Sequence, residues 1–220
     1  MSRPHRYSPK FPTNFRDAHT VDDDRNGTFD RAEKFVYDGH DVVLVYDDTS
    51  SLTSRFLHGP AVDQVFAQED DTGDIFWALA DNQGTVRDVA DYNAGTDTTS
   101  VVNHLKYDAY GNITAESNSS IDFRYAYTGR YFDEDSNLQY NRARWYDGTT
   151  GRWISEDPIG FDAGDANLSR YVGNGPTNAT DPCGLSSHPG GVDNASIGRN
   201  RSRPAELIFP RIAESATPCA

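Results

Sequence analysis

Short runs rich in β-branched and aromatic residues alternate along this chain with tight-turn signals, and helical periodicity is scarce. The runs fall at 35–37, 42–46, 54–57, 75–79, 85–89, 101–107, 123–127 and 138–145. Between them stand Asp38-Gly39, Thr72-Gly73, Asn82-Gln83-Gly84, Gly111-Asn112, Thr128-Gly129 and Asp147-Gly148, the chemistry of hairpin turns. This spacing predicts an all-β meander of antiparallel hairpins. A dipeptide recurs along it as Tyr37-Asp38, Tyr46-Asp47, Tyr107-Asp108 and Tyr146-Asp147, with Phe29-Asp30 and Phe132-Asp133 as near versions. The aromatic at a strand end packs on the neighbouring hairpin and the Asp opens the turn, so the repetition points to stacked hairpins rather than one globular core.

Only 36% of the 220 residues are apolar and the mean hydropathy is −0.72, yet aromatics reach 12%, a mix that disordered chains lack. No stretch approaches eighteen consecutive apolar residues, and residues 1–20 have no apolar centre, so neither a membrane span nor a signal peptide is expected. Residues 17–97 carry nineteen acidic and five basic side chains, against a net −14 for the whole chain. Such a surface repels phosphates and argues against nucleic acid as a partner. Two cysteines, Cys183 and Cys219, make no disulfide scaffold and fit no zinc motif. Five segments follow: an irregular basic stretch at 1–20, an acidic stretch at 21–34, hairpins at 35–150, a closing motif at 151–185 and a Gly-, Pro- and Ser-rich tail at 186–220. A tail of 35 residues is shorter than the ~40 at which domains fold unaided. Its Arg199, Arg201 and Arg203 read as a solvated basic patch.

Longer strings are more specific than the dipeptide. Residues 107–114 read YDAYGNIT, 140–147 YNRARWYD, 151–160 GRWISEDPIG and 167–185 NLSRYVGNGPTNATDPCGL; HGPAVDQV at 58–65 and DNQGTVRDV at 81–89 belong with them. Together, over residues 28–185, they resemble the RHS/YD-repeat family and its RHS-repeat-associated core. Departures are Gly148 where a Pro is usual, Ser169 where an aromatic is usual and Cys183 where a small residue is usual. The resemblance implies a hollow β-shell whose core segment curls inward to close one end, built with further YD repeats or a larger RHS parent chain. It also implies self-cleavage after the terminal DPxGL motif, releasing a variable segment that is often a toxin; the matching bond is Leu185–Ser186. Secretion or a cell-surface place would follow the family, as would contact with cell-surface glycans.

Peptide hydrolysis by carboxylates needs two of them held close together. Asp157 and Asp181 are the candidates, each in a DPxG string whose Pro stiffens the approach and whose Gly permits a tight turn. Arg152 is the candidate for holding one of them ionised, and Asp162 or Asp165 for a further acid. Such chemistry happens once per chain, as a single-turnover aspartic-type autoprotease. DPxG is also a plain turn signature, and Cys183 with His188 offers a thiol alternative lacking a third orienting group. Cys183 bridged to Cys219 would keep a released tail tethered.

Residues 22–33, DDDRNGTFDRAE, satisfy a calcium-loop pattern: Asp22, Asp24 and Asn26 at positions 1, 3 and 5, Gly27 at 6, the Thr28 carbonyl, Asp30 at 9 and Glu33 at 12. Pro12 and the strand-like residues after 34 leave no helix on either side, so the expectation is an isolated Ca²⁺ loop or an acidic linker. The alternatives to a shell-closing segment are therefore a calcium-stabilised surface- or carbohydrate-binding β module and an inactive truncated fragment.

Overall fold

The structure, a computed structural model, describes residues 18–22 and 27–185 and the backbone of residues 188–189. Its strands are β1 (Ala18–Val21), β2 (Arg31–Asp38), β3 (Asp41–Tyr46), β4 (Leu52–His58), β5 (Val65–Glu69), β6 (Ile75–Ala80), β7 (Val86–Asn93), β8 (Thr98–Tyr107) and β9 (Ile113–Glu116). These nine pair antiparallel in sequence order. A second sheet holds β10 (Tyr131–Asp133), β11 (Leu138–Asn141), β12 (Arg144–Asp147) and β13 (Arg152–Trp153), and a short pair joins β14 (Ala179–Thr180) to β15 (His188–Pro189). No α-helix occurs among the described residues, so the all-β meander stands.

The repeating unit is a turn opened by Asp. In Asp47, Asp70, Asp81 and Asp108 one carboxylate oxygen accepts the N–H four residues on, and in the last three also the N–H two residues on, at 2.7–3.1 Å. The Asp N–H bonds the carbonyl at the fifth position, closing the hairpin. Asp70 and Asp81 do this without a preceding Tyr, so the Asp and not the dipeptide defines the unit. At Asp47 the Thr49 hydroxyl and the Ser51 N–H hold the carboxyl below its ordinary range.

The fourth position always has positive φ. Gly73, Gly84 and Gly111 sit at 89°, 81° and 83°, but Ser50 takes φ 69° with a side chain. The left-handed conformation costs a side-chain residue ~1 kcal/mol that glycine avoids, partly offset by glycine's looser unfolded chain. Ser50→Gly is therefore expected to raise stability by about 0.5 kcal/mol in urea unfolding. A fall in the midpoint would contradict this account of the turn.

One face of the large sheet buries Phe35, Val42, Val45, Phe56, Val65, Val86, Val89 and Leu105. Residues 121–131 cross this face. The 123–127 run, expected to be a strand, makes a single bridge, Tyr125 to Tyr131. Its polar backbone is met partly by backbone bonds to Val86, Arg130 and Phe132 and partly by a buried side chain: Gln68 Nε2 donates to the Asp122 carbonyl at 2.6 Å, and its Oε1 accepts the Arg124 N–H at 2.9 Å. Tyr125 and Tyr131 complete the lid, edge-on to Phe56 and Phe35. The opposite face leaves Leu57, Trp77 and Val101 exposed in one cross-strand row.

Three further expectations change. β1 begins inside the stretch read as irregular, because Ala18–Val21 pairs with Arg31–Lys34. β5 was not among the expected runs. The 138–145 run is two strands, folded back at Arg142, whose φ is 60°. Neither central residue of this turn, Arg142 or Ala143, is a usual turn residue; the Arg142 guanidinium is held 3.5 Å from both Asp41 and Asp63.

Candidate functional site

The hairpin β11–β12 places Arg144 and Tyr146 on the buried side. Tyr146 packs against Tyr171 with ring centroids 4.2 Å apart and against Trp153 at 5.6 Å. Burial pushes both tyrosine hydroxyls far above their ordinary pKa, so this floor is uncharged. The Arg144 guanidinium lies 4.3 Å above the Trp153 ring, a cation–π contact.

Both DPxG aspartates converge on that guanidinium. One terminal nitrogen of Arg144 is 2.8 Å from Asp157 Oδ2 and 3.4 Å from Asp181 Oδ2, and the three side chains are only 4–5% exposed. The remaining Arg144 donors reach the Leu168 carbonyl at 3.1 Å and the Gly184 carbonyl. Burial lowers the pKa of Arg144, the two carboxylates oppose this, and a guanidinium keeps its proton in any case. The pair thus meets around an arginine rather than directly.

Each aspartate also organises its own turn. Asp157 Oδ1 accepts the Ile159 N–H at 3.0 Å, and Asp181 Oδ1 accepts the Leu185 N–H at 3.1 Å. Asn141, fully buried, donates to the Asp181 carbonyl at 2.7 Å. Gly184 has φ 68°, and a Cβ there would lie 2.7 Å from the Asn141 carbonyl oxygen and 3.0 Å from the Arg144 nitrogen. The Gly of the second DPxG is therefore required for contact with β11–β12, whereas Gly160 faces open space.

Arg152 is exposed on β13, opposite Asp147, and the guanidinium between the aspartates is that of Arg144. The missed signal is strand alternation: Arg144 is two residues from Tyr146, so it shares that residue's inward face. Asp162 is exposed, and Asp165 forms an ion pair with Arg170 at 2.5 Å. Cys183 is buried and not a free thiol, while Cys219 and the His188 side chain lie outside the described residues. Leu185 is half-buried, and Ser186 is outside the described residues.

The acidic stretch forms the β1–β2 connection. Asp22 Oδ2 accepts the Gly27 N–H at 2.9 Å and Asp30 donates to the Val21 carbonyl at 2.7 Å; Asp24 and Asn26 lie outside the described residues. Thr28 is exposed. Glu33 sits within β2 with its carboxylate 2.9 Å from Arg124. Burial alone would raise its pKa, but His19 and Arg124 outweigh this and bring it to about 2. A calcium ion in the loop would have to draw Glu33 from Arg124. Calcium binding is accordingly expected to be weak, with a dissociation constant of ~10⁻³ M or above, and to vanish in Asp22→Ala. Submicromolar binding in calorimetry would contradict this.

An antiparallel meander of Asp-opened hairpins, followed by a segment packed on a buried arginine, is the architecture of a YD-repeat shell segment. The Teneurin YD-shell family model matches residues 25–171, and the chain belongs to this RHS/YD-repeat family. It is 43% identical over 82 residues to the putative uncharacterized protein YlbH of Escherichia coli, covering 37% of this chain and 34% of that one. It is 41% identical over 80 residues to the probable deoxyribonuclease RhsA of Dickeya dadantii, covering 36% and 5%. Among solved structures, the TcdB2-TccC3-Cdc42 crystal structure is similar over 76% of this chain and 10% of that chain, at 19% identity and TM-score 0.54. That likeness carries the fold. This chain thus spans about a third of YlbH and a tenth or less of the other two. No described helix is long and apolar enough to cross a membrane.

Proposed function

We propose that this segment, besides closing a YD-shell, cuts its own chain once, between Leu185 and Ser186. The observation that supports the reading is the convergence of Asp157 and Asp181 on Arg144, with the Leu185 N–H bonded to Asp181 one peptide before the bond in question. The Gly184 carbonyl on Arg144 and the Asn141 anchor hold the approaching strand still, as positioning requires. In the reaction, water adds its oxygen to the Leu185 carbonyl carbon and loses a proton to one carboxylate. That proton passes to the Ser186 nitrogen as the C–N bond breaks. Arg144 keeps the carboxylates ionised and able to accept the proton.

The test is the intact mass of purified protein under reducing conditions. Separate species of 1–185 and 186–220 are expected, with no turnover of added peptides, because the reaction is intramolecular. Only full-length mass after prolonged incubation at mildly acidic and neutral pH would sink the reading.

A further inference from the structure

We propose that His19, Asp133 and Asp135 form a site for one first-row divalent transition-metal ion of the zinc or manganese class, clipping the first hairpin to the second sheet. One ligand atom from each residue lies within 4.8 Å of the other two. His19 stands on β1 and Asp133 ends β10, so residues more than a hundred apart in sequence converge here. His19 Nε2 is 3.7 Å from Asp133 Oδ2, longer than a hydrogen bond and within the span that two ligands of one ion keep. Both side chains are nearly buried, at 10% and 6% exposure.

The surroundings are those of a metal-bound imidazole. The other ring nitrogen, Nδ1, faces Glu33 Oε2 at the same 3.7 Å, so this carboxylate stands behind the ring without yet being hydrogen-bonded to it, and Glu33 is itself fixed by Arg124. A carboxylate behind a ligating histidine sets its tautomer and orientation. On the other side the Ser136 hydroxyl donates to Asp133 Oδ2 at 2.8 Å and orients that carboxylate. One imidazole with two carboxylates suits zinc or manganese; calcium would waste the nitrogen ligand.

Arg31 now occupies the third ligand, pairing with Asp135, but its side chain is half exposed and can swing away as the ion enters. It is a competitor, and this gives the test a second direction. The full-length chain, stripped with chelator and free of any affinity tag, is titrated calorimetrically with ZnCl₂, MnCl₂ and CaCl₂. One site is expected whose affinity falls at least about 10-fold in His19→Ala and in the isosteric Asp133→Asn, and falls similarly in Glu33→Gln. Arg31→Ala should tighten binding several-fold, an effect that loss of an ordinary ion pair would not produce. The proposal is overturned if neither metal binds, if the affinities are unchanged in His19→Ala and Asp133→Asn, or if calcium binds more tightly than both.

Discussion

Protein carrying Asp157→Asn or Asp181→Asn is expected to remain one unbroken chain under conditions in which the wild type separates into 1–185 and 186–220. The rate should fall by at least about 10²-fold, the usual worth of a positioned proton-transfer group. Asparagine is the informative replacement. It keeps the shape and the Oδ1 acceptor that holds the Ile159 or Leu185 N–H, while removing the group that takes a proton. Arg144→Met would be a poor test, since stripping the cation from two buried carboxylates costs ~3–5 kcal/mol and confounds chemistry with folding. Arg144→Lys keeps the charge but cannot reach the Leu168 carbonyl, the Gly184 carbonyl and both aspartates together, so slow cleavage by a folded variant is expected. Cys183→Ser should still be cut. Wild-type rates in both asparagine variants, or loss of cutting in Cys183→Ser alone, would remove the carboxylate mechanism.

Gly129→Ala is expected to be the most damaging single methyl group in the fold, at ~3 kcal/mol or more out of a total near 5–15 kcal/mol. Gly129 has φ 66°, and a Cβ there would sit 2.1 Å from the Asp63 carbonyl oxygen and 3.2 Å from that of Gly84. Both obstacles are backbone. Asp63 cannot yield, because its own φ is 58° and its side chain, only 8% exposed, is paired with the buried Arg130. Gly39→Ala is the control: φ is 61° but nothing lies within 4 Å, so only the left-handed strain of ~1 kcal/mol should appear. Equal urea midpoints for the two variants would show that crowding at Asp63 is not what matters.

What sequence reasoning could recover depended on whether the cause was local. The hairpin at 35–46 and the strand run at 101–107 were legible because alternation and turn composition act within a few residues. The Arg142 turn was not, since its guanidinium is held by Asp41 and Asp63, 101 and 79 residues away. Residues 123–127 have strand composition but are diverted by Gln68, 56 residues earlier. At the site, the paired DPxG strings and the family resemblance single out Asp157 and Asp181, while the arginine between them is Arg144 and not Arg152. The side chain that meets them, Arg144, announces itself only through its shared face with Tyr146.

Nine strands lying side by side in chain order have a kinetic consequence. Each hairpin needs only its immediate predecessor, so this part can form progressively as the chain is delivered. The closing contacts cannot: Tyr125 to Val42 spans 83 residues, Arg130 to Asp63 spans 67 and Arg144 to Asp181 spans 37. The first two must wait for most of the earlier hairpins, and the third for the last described residues. If the proposed cut depends on Asp181 meeting Arg144, it would be timed by folding itself: the chain would stay continuous until these contacts had formed, and severance would be a checkpoint that only a folded closing segment passes.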